Sequence, residues 1–426
     1  MISYDKFSLN NGLRIVVHHD PNTPLATVNI LYDVGSRDES ESRTGFAHLF
    51  EHLMFEGSVN IPDYDEHVHL AGGESNAFTS SDMTNYYITL PAHNIETAFW
   101  LESDRMLSLA FSEEALAVQK GVVCEEFKEH YINQPYGDWM HKMRALCFTT
   151  HPYKWLTIGK ELSHIEQATL SDVRAFFFQH YRPNNAILCV AGNVTSEQVR
   201  QLAQKWFGDI PPSEKPYHRQ LPAEPAQTTF HSQHIYANVP IDALYMAFHI
   251  GDRLSPSYHP TAFICDILSS GASGRLYQHL VKDQTLFSSL HAYSWDEHDP
   301  GLLYIEGKLN KGVTLESAET AIWHELEQLC QMPVSEDELG KVRNKVEAAI
   351  VFNEVGLSDR AFSLAYYELL GDIDEINNEI DKYLRVTAAD IQQTAQQIFS
   401  RENCSVLYYH AQPPSEAAEQ NADAST

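Results

Sequence analysis

His48, Glu51 and His52 lie within one five-residue run, His-Leu-Phe-Glu-His. On a helix, residues three and four apart share a face, so two imidazoles and a carboxylate can converge on one point. Such a point suits zinc, because neutral imidazoles are good ligands and a catalytic zinc takes three protein ligands while leaving one position open. The run supplies two of those ligands, and Glu51 stands between them as a general base. Phe46, Leu49, Phe50, Leu53 and Met54 form the buried stripe of the same segment, which predicts a helix over 44–56 stopping at Gly57.

The elements that position this helix belong to a duplicated chain. Glu96-Thr97-Ala98-Phe99-Trp100 is matched by Glu319-Thr320-Ala321-Ile322-Trp323, and sixteen positions after each Glu stand Ser112-Glu113-Glu114 and Ser335-Glu336-Asp337. Thr169-Leu170-Ser171-Asp172-Val173 pairs with Thr387-Ala388-Ala389-Asp390-Ile391 in the same order. Shared order and spacing mark an internal repeat. Residues 211–229, with Pro211, Pro212, Pro216, Pro222 and Pro225, read as an extended linker. Domain one is then 1–210 and domain two 230–411, with 412–426 a disordered tail lacking aromatics.

Strands are predicted at Leu13 to His18, Ala26 to Val34, Asn85 to Leu90 and Ile187 to Ala191. Helices are predicted at 94–109, 112–130 and 169–180. The fold class is α+β: two homologous domains, each a mostly antiparallel sheet packed with helices.

Comparing the copies locates the chemistry. Phe46 to Leu53 aligns with Ser273 to Leu280, which sets Arg275 opposite His48 and Gln278 opposite Glu51. Only the first copy has a metal-binding pattern. Glu125 and Glu126 fall opposite Ala348 and Ala349, so these carboxylates too belong to one copy, and either can supply a third ligand. His18, His19, His67, His69, His141 and His151 have no partner carboxylate at helical spacing and read as surface residues.

Composition narrows the classes further. There are 29 basic and 58 acidic residues, a formal charge of −29, which disfavours nucleic acid and anionic membrane surfaces as partners. No apolar run approaches a membrane span. Six cysteines occur without a C-x-x-C pair, as expected of reduced thiols, and the N-terminus resembles neither a signal nor a transit peptide. A cytoplasmic location is expected.

With its two histidines, intervening glutamate, distant glutamate and duplicated architecture, the chain resembles the pitrilysin/insulinase-type zinc metallopeptidases, the inverted-motif class. The resemblance runs from Leu9-Asn10-Asn11-Gly12-Leu13 to the strand at Val406. It implies one Zn2+ held by His48, His52 and Glu126, with Glu51 as general base. Glu126, 74 residues after His52, falls at the family's third-ligand place better than Glu125. Gln119 stands where many members have a further glutamate. Asn76, Ala77, Phe78 and Thr79, after Gly73 and before Thr84-Asn85-Tyr86-Tyr87, resemble the strand that pairs with the substrate backbone by β-augmentation.

Active members also carry an Arg and a Tyr seven residues apart in the second domain, and here those places hold Val281 and Ser288. Some bacterial relatives divide the zinc motif and the Arg/Tyr pair between two subunits. The implied function is a zinc endopeptidase subunit acting on short or unfolded peptides, as a heterodimer with a homologous chain bearing the Arg and Tyr. A noncatalytic scaffold or recognition subunit is the alternative, and the intact motif argues against it. A purely structural zinc would ordinarily have four protein ligands, cysteine among them.

Overall fold

The computed structural model describes residues 1–214 and 219–412. Its first sheet contains β1 (Asp5–Ser8), β2 (Arg14–His19), β3 (Leu25–Tyr32), β4 (Glu74–Thr79), β5 (Thr84–Pro91) and β6 (Ala186–Gly192), in the order β1-β2-β6-β3-β5-β4. The second contains β7 (His231–Ala237), β8 (Ala243–His249), β9 (Phe287–Ser294), β10 (Leu302–Leu309) and β11 (Cys404–Ala411), in the order β7-β11-β8-β10-β9. Without β1, the two orders match strand for strand. Each has one parallel pair, β2 with β6 and β7 with β11, and the other pairs are antiparallel.

The repeat extends to the helix caps. Thr169 and Asp172 form a capping box on one copy, and Thr387 and Asp390 form the same box on the other. Ser112 accepts from the Ala115 N–H and Ser335 from the Glu338 N–H. Each side chain satisfies a donor that the first helical turn leaves orphaned.

Five helices of the first unit matter here: α1 (Phe46–Leu53), α2 (Ile95–Leu107), α3 (Glu113–Phe127), α4 (Leu170–His180) and α5 (Leu357–Leu370). The predicted 44–56 helix shortens to α1 because Gly45 has φ +89°, a left-handed conformation that cannot continue an α-helix.

The compact units interleave the halves expected at 1–210 and 230–411. Unit one comprises Met1–Phe127, Trp155–Leu221 and Ala349–Glu379; unit two takes Lys128–Lys154, Pro222–Ala348 and the chain from Ile380. Hydrophobic burial explains the first transfer: Ala361, Leu364 and Ala365 of α5 pack with Val16, Leu31, Ile187 and Cys189 of the first sheet. In unit two, Trp139 stacks on Tyr245 with centroids 4.4 Å apart, and buried Arg144 pairs with Glu297 at 2.7 Å. Of the expected linker, 215–218 lie outside the described residues, as does the expected tail beyond Gln412. No helix among the described residues is long and apolar enough to cross a membrane, and all six cysteines are free thiols.

Glu224, in the proline-rich stretch, accepts from the Thr149, Thr150 and His151 N–H groups at 2.8, 2.9 and 2.8 Å. Burial raises its pKa, but these N–H donors and the Thr149 hydroxyl outweigh it and pull the value down to about 2. A depressed folded-state pKa stabilises above the unfolded value of 4.5 and is lost as pH falls through about 2. Glu224→Gln should therefore lower the urea midpoint at neutral pH, and the gap between native and variant should close as the buffer is taken from pH 5 to pH 2. A gap independent of pH would exclude this linkage.

Candidate metal centre

Phe46, Ala47, Leu49, Phe50 and Leu53 of α1 are buried. The Phe50 ring lies 5.2 Å from Phe176 and 6.4 Å from Phe177 of α4, and 5.0 Å from Tyr181. This apolar anchoring leaves His48, Glu51 and His52 on the opposite, partly open side. On α3, buried Leu116, Val123, Cys124 and Phe127 face the protein, which leaves Glu125 exposed and turns half-buried Glu126 toward α1. Adjacent helical side chains diverge by about 100°, so one faces the histidines and the other faces water.

His48 and His52 approach each other with Nε2 atoms 3.4 Å apart. Glu126 Oε2 lies 3.7 Å from His48 Nε2 and 3.5 Å from His52 Nε2. For metal–ligand bonds of about 2.1 Å, the edge of a coordination tetrahedron is about 3.4 Å, so the three atoms fit three corners around one zinc ion. Among the described residues this is the one cluster of at least three His, Cys, Asp or Glu side chains with such convergence. The three side chains remain 19%, 20% and 34% exposed, which keeps one side accessible to solvent. Burial, helped by the neighbouring His52, lowers the His48 pKa to about 4, so its imidazole is neutral at pH 7, as a ligand must be. Its Nδ1 is buried without a hydrogen-bond partner among the described residues.

Glu51 is not one of the three converging groups but stands near enough to feel the charges of His52 and Glu126. The Thr79 hydroxyl, at the end of β4, donates to Glu51 Oε2 at 2.6 Å. Burial raises the Glu51 pKa, and the hydrogen bond from Thr79 holds it back, so the carboxylate is a stronger base than an exposed one while staying oriented. A hydrogen bond to a charged acceptor contributes about 1.5–3 kcal/mol. Thr79→Val should lower kcat roughly tenfold, with zinc content unchanged. Unaltered kcat in the zinc-loaded variant would show that Glu51 is oriented without this bond.

β4 pairs with β5 on one side only, so Asn76, Ala77 and Phe78 occupy a sheet edge. The Ala77 N–H is held by Asn76 Oδ1 at 2.8 Å, and the Phe78 ring packs edge-on against Phe362 of α5 at 5.2 Å. Gln119 donates to Glu56 Oε1. In unit two, Val281 packs on the apolar core, the Ser288 hydroxyl donates to the Lys308 carbonyl, and Arg275 is bidentate on Glu338 at 2.9 and 2.7 Å. Two of the histidines expected at the surface are buried instead: His18 bonds the Ser3 carbonyl and Arg360, and His151 lies beside Asp299.

Sequence reasoning missed two contributors. Thr79, whose backbone belongs to the edge strand, also uses its side-chain hydroxyl to hold Glu51. Glu39, nine residues before His48, caps α1 through the N–H groups of Gly45 and Ala47. A polar residue ahead of a short motif helix was the available signal, but capping is ordinarily sought at the residue next to the helix.

A duplicated α+β chain with an H-x-x-E-H helix and a converging glutamate in one copy only has the design of an inverted-motif zinc peptidase. Two family models match it: Insulinase (Peptidase family M16) over residues 14–144 and the Peptidase M16 inactive domain over residues 167–346. The chain belongs to the M16 peptidase family. It is 28% identical over 419 residues to the zinc protease PqqE of Helicobacter pylori, covering 95% of this chain and 92% of that one. A crystal structure of a protease from Helicobacter pylori superposes with a TM-score of 0.90 at 26% identity, covering 96% of this chain and all of the other. The mitochondrial-processing peptidase subunit beta of Saccharomyces cerevisiae is 30% identical over 211 residues, 49% of this chain and 45% of that protein.

Proposed function

We propose that this protein is a zinc endopeptidase subunit that hydrolyses extended, unfolded or short peptides at the His48–His52–Glu126 centre. The observation carrying this reading is the set of 3.4, 3.5 and 3.7 Å separations among two imidazole nitrogens and one carboxylate oxygen, with a separately oriented carboxylate beside them. Zinc held there supplies Lewis-acid activation of water and of the scissile carbonyl. Glu51 accepts the proton of the attacking water and returns one to the leaving amine. Asn76, Ala77, Phe78 and Thr79 offer the edge along which a peptide can add as a strand, the Asn76 side chain swinging off the Ala77 N–H to free it.

The reaction also needs donors for the developing oxyanion. Val281 and Ser288 offer no guanidinium or phenol, and Arg275 is engaged by Glu338. A homologous subunit with an Arg and a Tyr at these places would complete the site. The yeast relative's name, subunit beta, is in keeping with division of labour between chains.

The test is zinc content read together with hydrolysis of an unstructured quenched peptide. Native protein should bind one zinc per chain, Glu126→Ala should lose most of it, and Glu125→Ala should retain it. The reverse order would move the third ligand to Glu125, and a native chain with no zinc after reconstitution would refute the reading.

A further inference from the structure

The motif helix is held at its start by a carboxylate from outside it. Glu39 is 8% exposed; its Oε2 accepts from the Gly45 N–H at 2.9 Å and its Oε1 from the Ala47 N–H at 2.8 Å, and the Phe46 N–H is a further donor. Helix α1 is eight residues long, too short to be stable alone. Helix ends fray first, and His48, the third residue of α1, lies in that first turn. Loss of the cap therefore acts directly on one of the converging imidazoles.

The surroundings make Glu39 a fixed anchor. Gly45, at φ +89°, turns the chain into the helix, and a Cβ there would meet Ile165 Cδ1 at 2.7 Å and the Ile158 carbonyl oxygen at 2.8 Å. The preceding loop is pinned on both sides: Arg219 bonds both oxygens of Asp38 at 2.7 and 2.9 Å, and Arg37 pairs with buried Asp82 at 2.7 Å. In the second copy, the segment aligned with α1, Ser273–Leu280, is not one α-helix: it starts in a 3-10 turn and runs into a wider helix over Tyr277–Asp283.

We propose that Glu39 is a positioning residue for the metal centre, fixing the first turn of α1 so that His48 Nε2 meets His52 and Glu126 at metal-binding separation. This rests on the zinc reading above. Burial works against the charge of Glu39, pushing its carboxyl up to about 8, and the backbone donors work for it. In either protonation state its two oxygens can each accept one N–H. An amide cannot, because its nitrogen sets a donor against a donor.

Zinc affinity of the apo chain, measured by competition with a chromophoric chelator, and the visible spectrum of the Co2+-substituted chain test this without any peptidase assay. Glu39→Gln should keep the native far-UV circular dichroism, weaken zinc about 10- to 100-fold, the range for partners that orient metal ligands, and alter the Co2+ spectrum. Should Glu39→Gln fail to fold, Glu39→Asp takes its place: one methylene shorter, it cannot reach both N–H groups, and a weakening of roughly threefold or more is expected. A folded variant with native zinc affinity and a native Co2+ spectrum, its only change a lower Tm, overturns the proposal and leaves Glu39 a structural cap. A native chain that binds no zinc would instead overturn the zinc reading itself.

Discussion

Glu51→Gln is expected to leave zinc bound and to reduce peptide hydrolysis at least about a hundredfold, the lower end for removal of a general base. The substitution is nearly isosteric, and the amide oxygen can still accept the Thr79 hydroxyl now bonded at 2.6 Å. The converging atoms are Nε2 of His48 and His52 and Oε2 of Glu126, none of which is altered. What disappears is the ability to take a proton, in a carboxylate made more basic by burial. Metal analysis and turnover on the same preparation check both halves of the expectation. Zinc lost along with activity would mean that Glu51 is a ligand and that its role as base is wrong.

The second large effect concerns a partner. The isolated, zinc-loaded chain should turn over an unstructured peptide slowly, and addition of a homologous subunit bearing the Arg and Tyr should raise the rate about 100- to 1,000-fold, the value of one preorganised oxyanion donor. The expectation comes from half-buried Val281 packed against an apolar core, Ser288 donating to a backbone carbonyl, and Arg275 held by Glu338. Mixing purified chains and following both rate and sedimentation gives the answer. Equal rates for the verified monomer and the mixture would remove the need for a partner.

Much of this arrangement can be read from local pattern. Two imidazoles and a carboxylate at i, i+3 and i+4 share a helix face whatever the fold around them, and the matched Thr169/Asp172 and Thr387/Asp390 boxes are visible as spaced residue types. Resemblance favours Glu126 over Glu125, and the physical distinction comes from buried Val123 and Phe127 beside exposed Glu125. The parts that escaped depend on contacts distant in sequence. An apolar stripe on 357–370 announces a helix but does not name the sheet it covers, so its place in unit one was illegible. Glu39 caps a helix that starts seven residues later, and burial of His18 and His151 follows from partners such as Arg360 and Asp299, far away in the chain.

X-ray absorption at the zinc edge of the reconstituted chain reads directly whether His48, His52 and Glu126 form an open zinc centre. One zinc is expected, with two imidazoles and otherwise oxygen, all at about 2.0–2.2 Å. Sulfur at about 2.3 Å, or fewer than two imidazoles, would contradict it.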